Sequence, residues 1–169
     1  MKKIIFTLLI LVSITVMQAE PIRVGDNAPN IVVTLDDGTT EDLGTLFQEG
    51  PVLVYFYPKS FTGGCTTQAC NLRDNASGID NADITVFGVS ADDVDTQKRF
   101  REEHQLPFHL VADTELELTK AFGVPTNPRG FPKRQSFILK GGKVVWRDLA
   151  AAPSTQAEDA IKAVQNIEE

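Results

Sequence analysis

The stretch VLVYFYPKSFTGGCTTQACNLRD, residues 52–74, decides how this chain is read. Its first six residues are apolar or aromatic without interruption, the pattern of a strand buried on both faces. Pro58 ends that strand because proline has no N–H to give to a ladder. A loop then reaches Gly63-Gly64, and Cys65 is expected to open a helix. There a cysteine meets unpaired N–H groups and the positive end of the helix dipole, which favour the thiolate, the nucleophilic form. Cys65 is therefore expected to be more reactive than Cys70, the second of the two cysteines in the 169-residue chain.

The spacing of the two leaves two readings open. In an intact helix, residues five apart are separated by about 7.5 Å of rise, with Cα atoms about 8–9 Å apart. Disulfides rarely span more than about 7 Å. A bond between Cys65 and Cys70 would require local unwinding, which a reversible catalytic disulfide can use; a structural disulfide in a non-helical loop is the alternative.

Outward from this stretch the pattern is α/β. A short strand is expected over residues 30–35, closed by Asp36-Asp37-Gly38, and further strands over 84–89 and 108–111. Asp92 and Asp93 are expected to cap a charged helix over residues 94–104, and a short helix over 115–122 stops at Gly123. A hairpin over 136–145 turns on Gly141-Gly142, and Ser154 caps a last helix over 155–167. Strands alternating with helices predict a sandwich around one mixed sheet.

Composition agrees with one soluble domain, with 42% apolar and 23% charged residues. A formal charge of −7 without a run of Lys and Arg in the body of the chain argues against a nucleic-acid partner. The N-terminus reads Lys2-Lys3, thirteen mostly apolar residues (4–16), then Met17-Gln18-Ala19. That is the layout of a secretory signal peptide over residues 1–19, and it is shorter than the roughly 20 residues a membrane-spanning helix needs. The expected domain is then residues 20–169, periplasmic or secreted, with no stable membrane association after cleavage, in a compartment where disulfides persist.

Pro58, Thr62 and Cys65 form P-x-x-x-T-x-x-C, with Cys70 five residues on. This resembles the active-site signature of peroxiredoxins, more closely the peroxiredoxin Q or bacterioferritin-comigratory type. The series FGVSADD (87–93), LPFHLVADTE (106–115), AFGV (121–124) and KRQSFILKGGKVV (133–145) follows in that family's order. The resemblance implies a thioredoxin-like three-layer sandwich with a central mixed β-sheet. It also implies a peroxidase for hydrogen peroxide and organic hydroperoxides, without haem, metal or other cofactor, recycled by a thioredoxin-like dithiol protein.

Residue by residue, the resemblance makes Cys65 the peroxidatic nucleophile, oxidised to sulfenic acid, and Cys70 the resolving cysteine that closes the disulfide. The Thr62 hydroxyl would bond the thiolate and the peroxide, Pro58 would shield the site, Arg134 would stabilise negative charge, and Gln68 would hold Arg134. With both redox cysteines in one segment, a monomer is expected. One departure stands out: the family has Pro-Gly before the nucleophile, where this chain has Gly63-Gly64, so a looser first turn is expected.

Other readings are weaker. A thioredoxin-type oxidoreductase needs Cys-x-x-Cys, and a phosphate loop needs a Gly-Lys-Ser/Thr that does not follow Gly64. An exported copper carrier using Cys65, Cys70, His104 and His109 is the alternative from another class.

Overall fold

The computed structural model describes residues 20–168; the expected leader over residues 1–19 lies outside them. A five-stranded mixed sheet has the order β5-β4-β3-β6-β7. Its strands are β3 (Val52–Phe56), β4 (Thr85–Ser90), β5 (His109–Ala112), β6 (Gln135–Lys140) and β7 (Lys143–Asp148). Strands β3, β4 and β5 run parallel, and β6 and β7 return antiparallel. A two-stranded ribbon, β1 (Val32–Thr34) with β2 (Thr40–Asp42), lies apart from the sheet.

The central strand explains the layers. Successive β3 side chains point to opposite faces. Leu53, Tyr55 and Tyr57 enter a core with α2 (Gly63–Asp74), α3 (Ala76–Asn81), α4 (Val94–Glu103) and α6 (Gln156–Glu168). Val52, Val54 and Phe56 enter a second core with α1 (Leu43–Glu49), α5 (Glu117–Ala121) and Val33 of the ribbon. Every residue of β3 is buried, as its unbroken apolar run requires. On the first face, Tyr55 leans over Gly88 so closely that a Cβ at Gly88 would stand 2.5 Å from the phenol oxygen. Only glycine fits there.

The structure adds to the expected elements and corrects several. The ribbon's second strand, α1 and α3 were not foreseen. Asp42 caps α1 by accepting from Gly44 N and Thr45 N, and Leu43 and Phe47, four residues apart, bury its one apolar face. Asp93 caps α4 through Thr96 N, but Asp92 does not share that task. It accepts instead from Ser60 N and the Ser90 hydroxyl, both at 2.8 Å. The last helix begins at Gln156, after Ser154 and Thr155. The expected hairpin turns on Gly141 and Gly142, with φ of +57° and +70°. No helix among the described residues is long and apolar enough to cross a membrane.

Candidate active site

The functional segment lies where β3 ends at the middle of the sheet, with β4 on one side and β6 on the other. Such a reversal of strand order opens a crevice at the carboxyl end of a parallel strand. Tyr57 N still donates to Val89 O at 3.0 Å, and the half-buried Pro58 then turns the chain away. A buried polar cluster fixes the loop that follows. Gln97 Oε1 accepts from the Tyr57 phenol at 2.6 Å and from the Ser60 hydroxyl at 3.0 Å, while Gln97 Nε2 donates to Ser90 Oγ at 2.9 Å and Val111 O at 2.8 Å. Burial is the main reason the Tyr57 phenol is pushed far up, so it stays protonated as a donor.

The helix opens earlier than expected, at Gly63, so Cys65 is its third residue rather than its first. It remains in the first turn, where backbone N–H groups lack intrahelical acceptors. Thr62 stands at the cap position, but no side-chain cap bond forms. Its hydroxyl, expected on the thiolate, donates instead to Lys59 O at 2.8 Å, because a hydroxyl has one proton to give and the loop carbonyl takes it. The Thr62 oxygen is thereby left as an acceptor.

Arg134 reaches the site through sheet register. Gln135 pairs with Phe56, so the residue before it arrives beside the loop leaving β3. Its Nη2 lies 3.3 Å from Cys65 Sγ, and its Nη1 donates to Gln68 Oε1. Gly64 provides the room, since a Cβ there would stand 3.3 Å from Arg134 Nη2. Cys65 is buried, with 2% exposure, and Cys70 is half-buried in the same helix; both are free thiols. Asn71, beside Cys70, ties α2 to the start of α6 by donating to Ser154 O at 2.9 Å and accepting from Ala157 N at 2.8 Å. Arg73 is held charged chiefly by its hydrogen bond to Asp74, with Cys70 a smaller contributor, and it donates to His104 O at 2.8 Å.

The structure thus brings Cys65, Arg134 and Gln68 into contact and leaves the two histidines elsewhere. His104 stacks edge-on against Phe100, and His109 Nδ1 lies 2.9 Å from the buried Asp36. No group of three or more His, Cys, Asp or Glu side chains arranged to hold a metal occurs among the described residues. The sequence reading missed Gln97, Ser60, Asn71 and Gln156. Only Ser60, inside the motif, and Asn71, just after Cys70, carried any signal of proximity.

A buried thiol in a helix's first turn, with a guanidinium nitrogen 3.3 Å from its sulfur and at the end of a central strand, is the arrangement to be compared with known proteins. The chain belongs to the AhpC/TSA family, which it matches over residues 24–147. Within that family its similarity runs to peroxiredoxins of the Q and Bcp type. It is 39% identical over 122 residues to the chloroplastic peroxiredoxin Q of Oryza sativa subsp. japonica, a match covering 72% of this chain and 56% of that protein. This chain thus spans little more than half of the rice protein's length. It is 36% identical over 135 residues to peroxiredoxin Bcp of Bacillus subtilis, covering 75% of this chain and 85% of that one. Among solved structures, the bacterioferritin comigratory protein of Xanthomonas campestris, studied for its alkyl peroxide reduction, superposes with a TM-score of 0.78 at 25% identity, covering 87% of this chain and all of that one. The fold is the thioredoxin-like fold of those peroxiredoxins, as expected.

Proposed function

We propose that this chain reduces hydrogen peroxide and organic hydroperoxides by cysteine chemistry. The observation that carries the reading is Cys65 Sγ, buried in the first turn of α2 with Arg134 Nη2 at 3.3 Å. The cation and a set of free amides face the oxygens on which charge grows as the O–O bond breaks. The Cys65 thiolate attacks one peroxide oxygen; the S–O bond forms, the O–O bond breaks, and the other oxygen leaves as water or alcohol after taking a proton. Thr62, its own proton given to Lys59, accepts the O–H of the incoming hydroperoxide. Gln68 holds the guanidinium, and Pro58 walls the pocket from water.

Cys65 sulfenic acid is then attacked by the Cys70 sulfur. The S–S bond forms, the S–O bond breaks and a second water leaves. A thioredoxin-like dithiol protein restores both thiols. The family resemblance supports these assignments of Cys65, Cys70, Thr62, Arg134, Gln68 and Pro58, and no cofactor is called for. Lys2-Lys3 and the apolar run that follows support export to the periplasm or beyond, with no membrane association once the leader is removed. Both redox cysteines lie in one helix, which supports a functional monomer.

The test is to reduce the protein, add one equivalent of hydrogen peroxide without metals, and follow thiols and mass within seconds. Conversion to a Cys65–Cys70 disulfide is expected, abolished by Cys65→Ser and halted at the sulfenic acid by Cys70→Ser. Retained peroxide consumption by Cys65→Ser would overturn the mechanism; unchanged recycling by Cys70→Ser would remove only the resolving role.

A further inference from the structure

Arg134 donates to Gln68 Oε1, so the amide of Gln68 must keep its oxygen toward the guanidinium. Turned round, the amide would set N–H against N–H. Gln68 is wholly buried, so no water can take the place of a missing partner. What fixes the amide is Gln156, the first residue of α6, whose Oε1 accepts from Gln68 Nε2 at 2.7 Å. That oxygen is itself pinned by a second donor, the Ser136 hydroxyl at 2.7 Å. Gln156 is 1% exposed and Ser136 wholly buried. Ser136 lies on β6 two residues past Arg134, so the series closes on the strand end from which the arginine projects.

We infer that Gln156 is a positioning residue for peroxide reduction: by accepting from Gln68 it fixes the amide orientation that aims Arg134 at Cys65. The inference rests on the peroxidase reading above. Gln156 is 91 positions from Cys65 in the sequence and touches no reacting atom; it acts through one side chain only. The start of α6 is itself anchored to α2 through Asn71, which keeps the Gln156 oxygen in place.

The experiment is a double-mutant cycle on the full chain, read as the rate of Cys65 oxidation by hydrogen peroxide under rapid quench. Gln156→Met, which removes the acceptor at similar length, is expected to slow that step by about tenfold, the scale of one buried hydrogen bond. In the Gln68→Met background the same change is expected to have an effect of less than about twofold, because the side chain it acts through is gone. Gln156→Glu, which presents acceptors on both oxygens, is expected to recover most of the rate. Should Gln156→Met fail to fold, Gln156→Asn withdraws the acceptor by one methylene while keeping a polar helix start, with the same slowing expected. A rate unchanged in the variants, or an equal loss with and without Gln68, would overturn the inference while leaving the peroxidase reading standing. A wild-type chain inert to peroxide would instead sink the peroxidase reading itself.

Discussion

Replacing Asn71 by alanine should speed disulfide closure. Cys65 and Cys70 are free thiols in one continuous helix, Gly63–Asp74. Five helical residues hold Cα atoms about 8–9 Å apart, and a disulfide needs about 7 Å or less. The turn carrying Cys70 must therefore leave its helical position before the sulfurs meet. Two side-chain hydrogen bonds from the adjacent Asn71 oppose this, to Ser154 O at 2.9 Å and from Ala157 N at 2.8 Å. At about 1 kcal/mol net for each, breaking both costs about 2 kcal/mol, a factor of about 30 in rate. Rapid quench after one equivalent of peroxide, with alkylation and mass analysis, gives the lifetime of the Cys65 sulfenic acid. In Asn71→Ala that lifetime should shorten by about 30-fold. The preceding oxidation step should slow by less than the about tenfold expected of Gln156→Met, since Asn71 reaches it only through the start of α6. A lifetime unchanged or longer, together with a loss of about 2 kcal/mol in global stability, would show that the bonds exist but that α2 opens elsewhere.

Three further outcomes follow from the geometry. Arg134→Met should slow peroxide reduction about 100-fold, and Arg134→Lys should recover only part of that, because a point charge cannot reach both Cys65 and Gln68; stopped-flow peroxide kinetics measures both. Gly63→Pro places a preset φ at the first helical position, where nothing lies within 4 Å of an added Cβ. It should raise stability by about 0.4–1 kcal/mol in urea titration and leave the rate of disulfide closure little changed, because the turn carrying Cys70 is untouched. Burial pushes the Asp113 carboxyl up, against the opposing hydrogen bonds from Thr119 and Leu118. The folded state then holds that proton more tightly than the unfolded chain, so the group's contribution to stability falls as pH rises from the ordinary carboxylate range through the raised value. Against Asp113→Asn, the wild-type chain should compare more favourably at about pH 4 than at about pH 7 by urea midpoint, and the opposite slope would refute the assignment.

The legible parts of the fold were those where one physical rule dominates. The unbroken apolar run of β3 permitted only a strand buried on both faces, and Gly141-Gly142 permitted only a tight hairpin. The elements that escaped are short or mixed. The ribbon strand Thr40–Asp42 has three polar residues and pairs with a single neighbour, and α1 contains Gly44 and Thr45 and is held by only two buried side chains. Its signal was present in Asp42 as a cap with Leu43 and Phe47 four apart. At the site, Cys65, Arg134 and Gln68 were legible through a motif. Gln97 and Gln156 were not, because a buried glutamine in a helix differs from an exposed one only through partners that the fold brings from far along the chain.

The burial of Cys65 beneath Arg134, beside the more open Cys70, makes the order of reaction depend on reagent size. On the proposed peroxidase reading, a small oxidant should reach Cys65 first. A bulky maleimide or dye-linked iodoacetamide meets Cys70 first and leaves Cys65 unlabelled. A thiol survey built on bulky probes would thus report accessibility alone, and could rank the two residues opposite to their order in the proposed reaction.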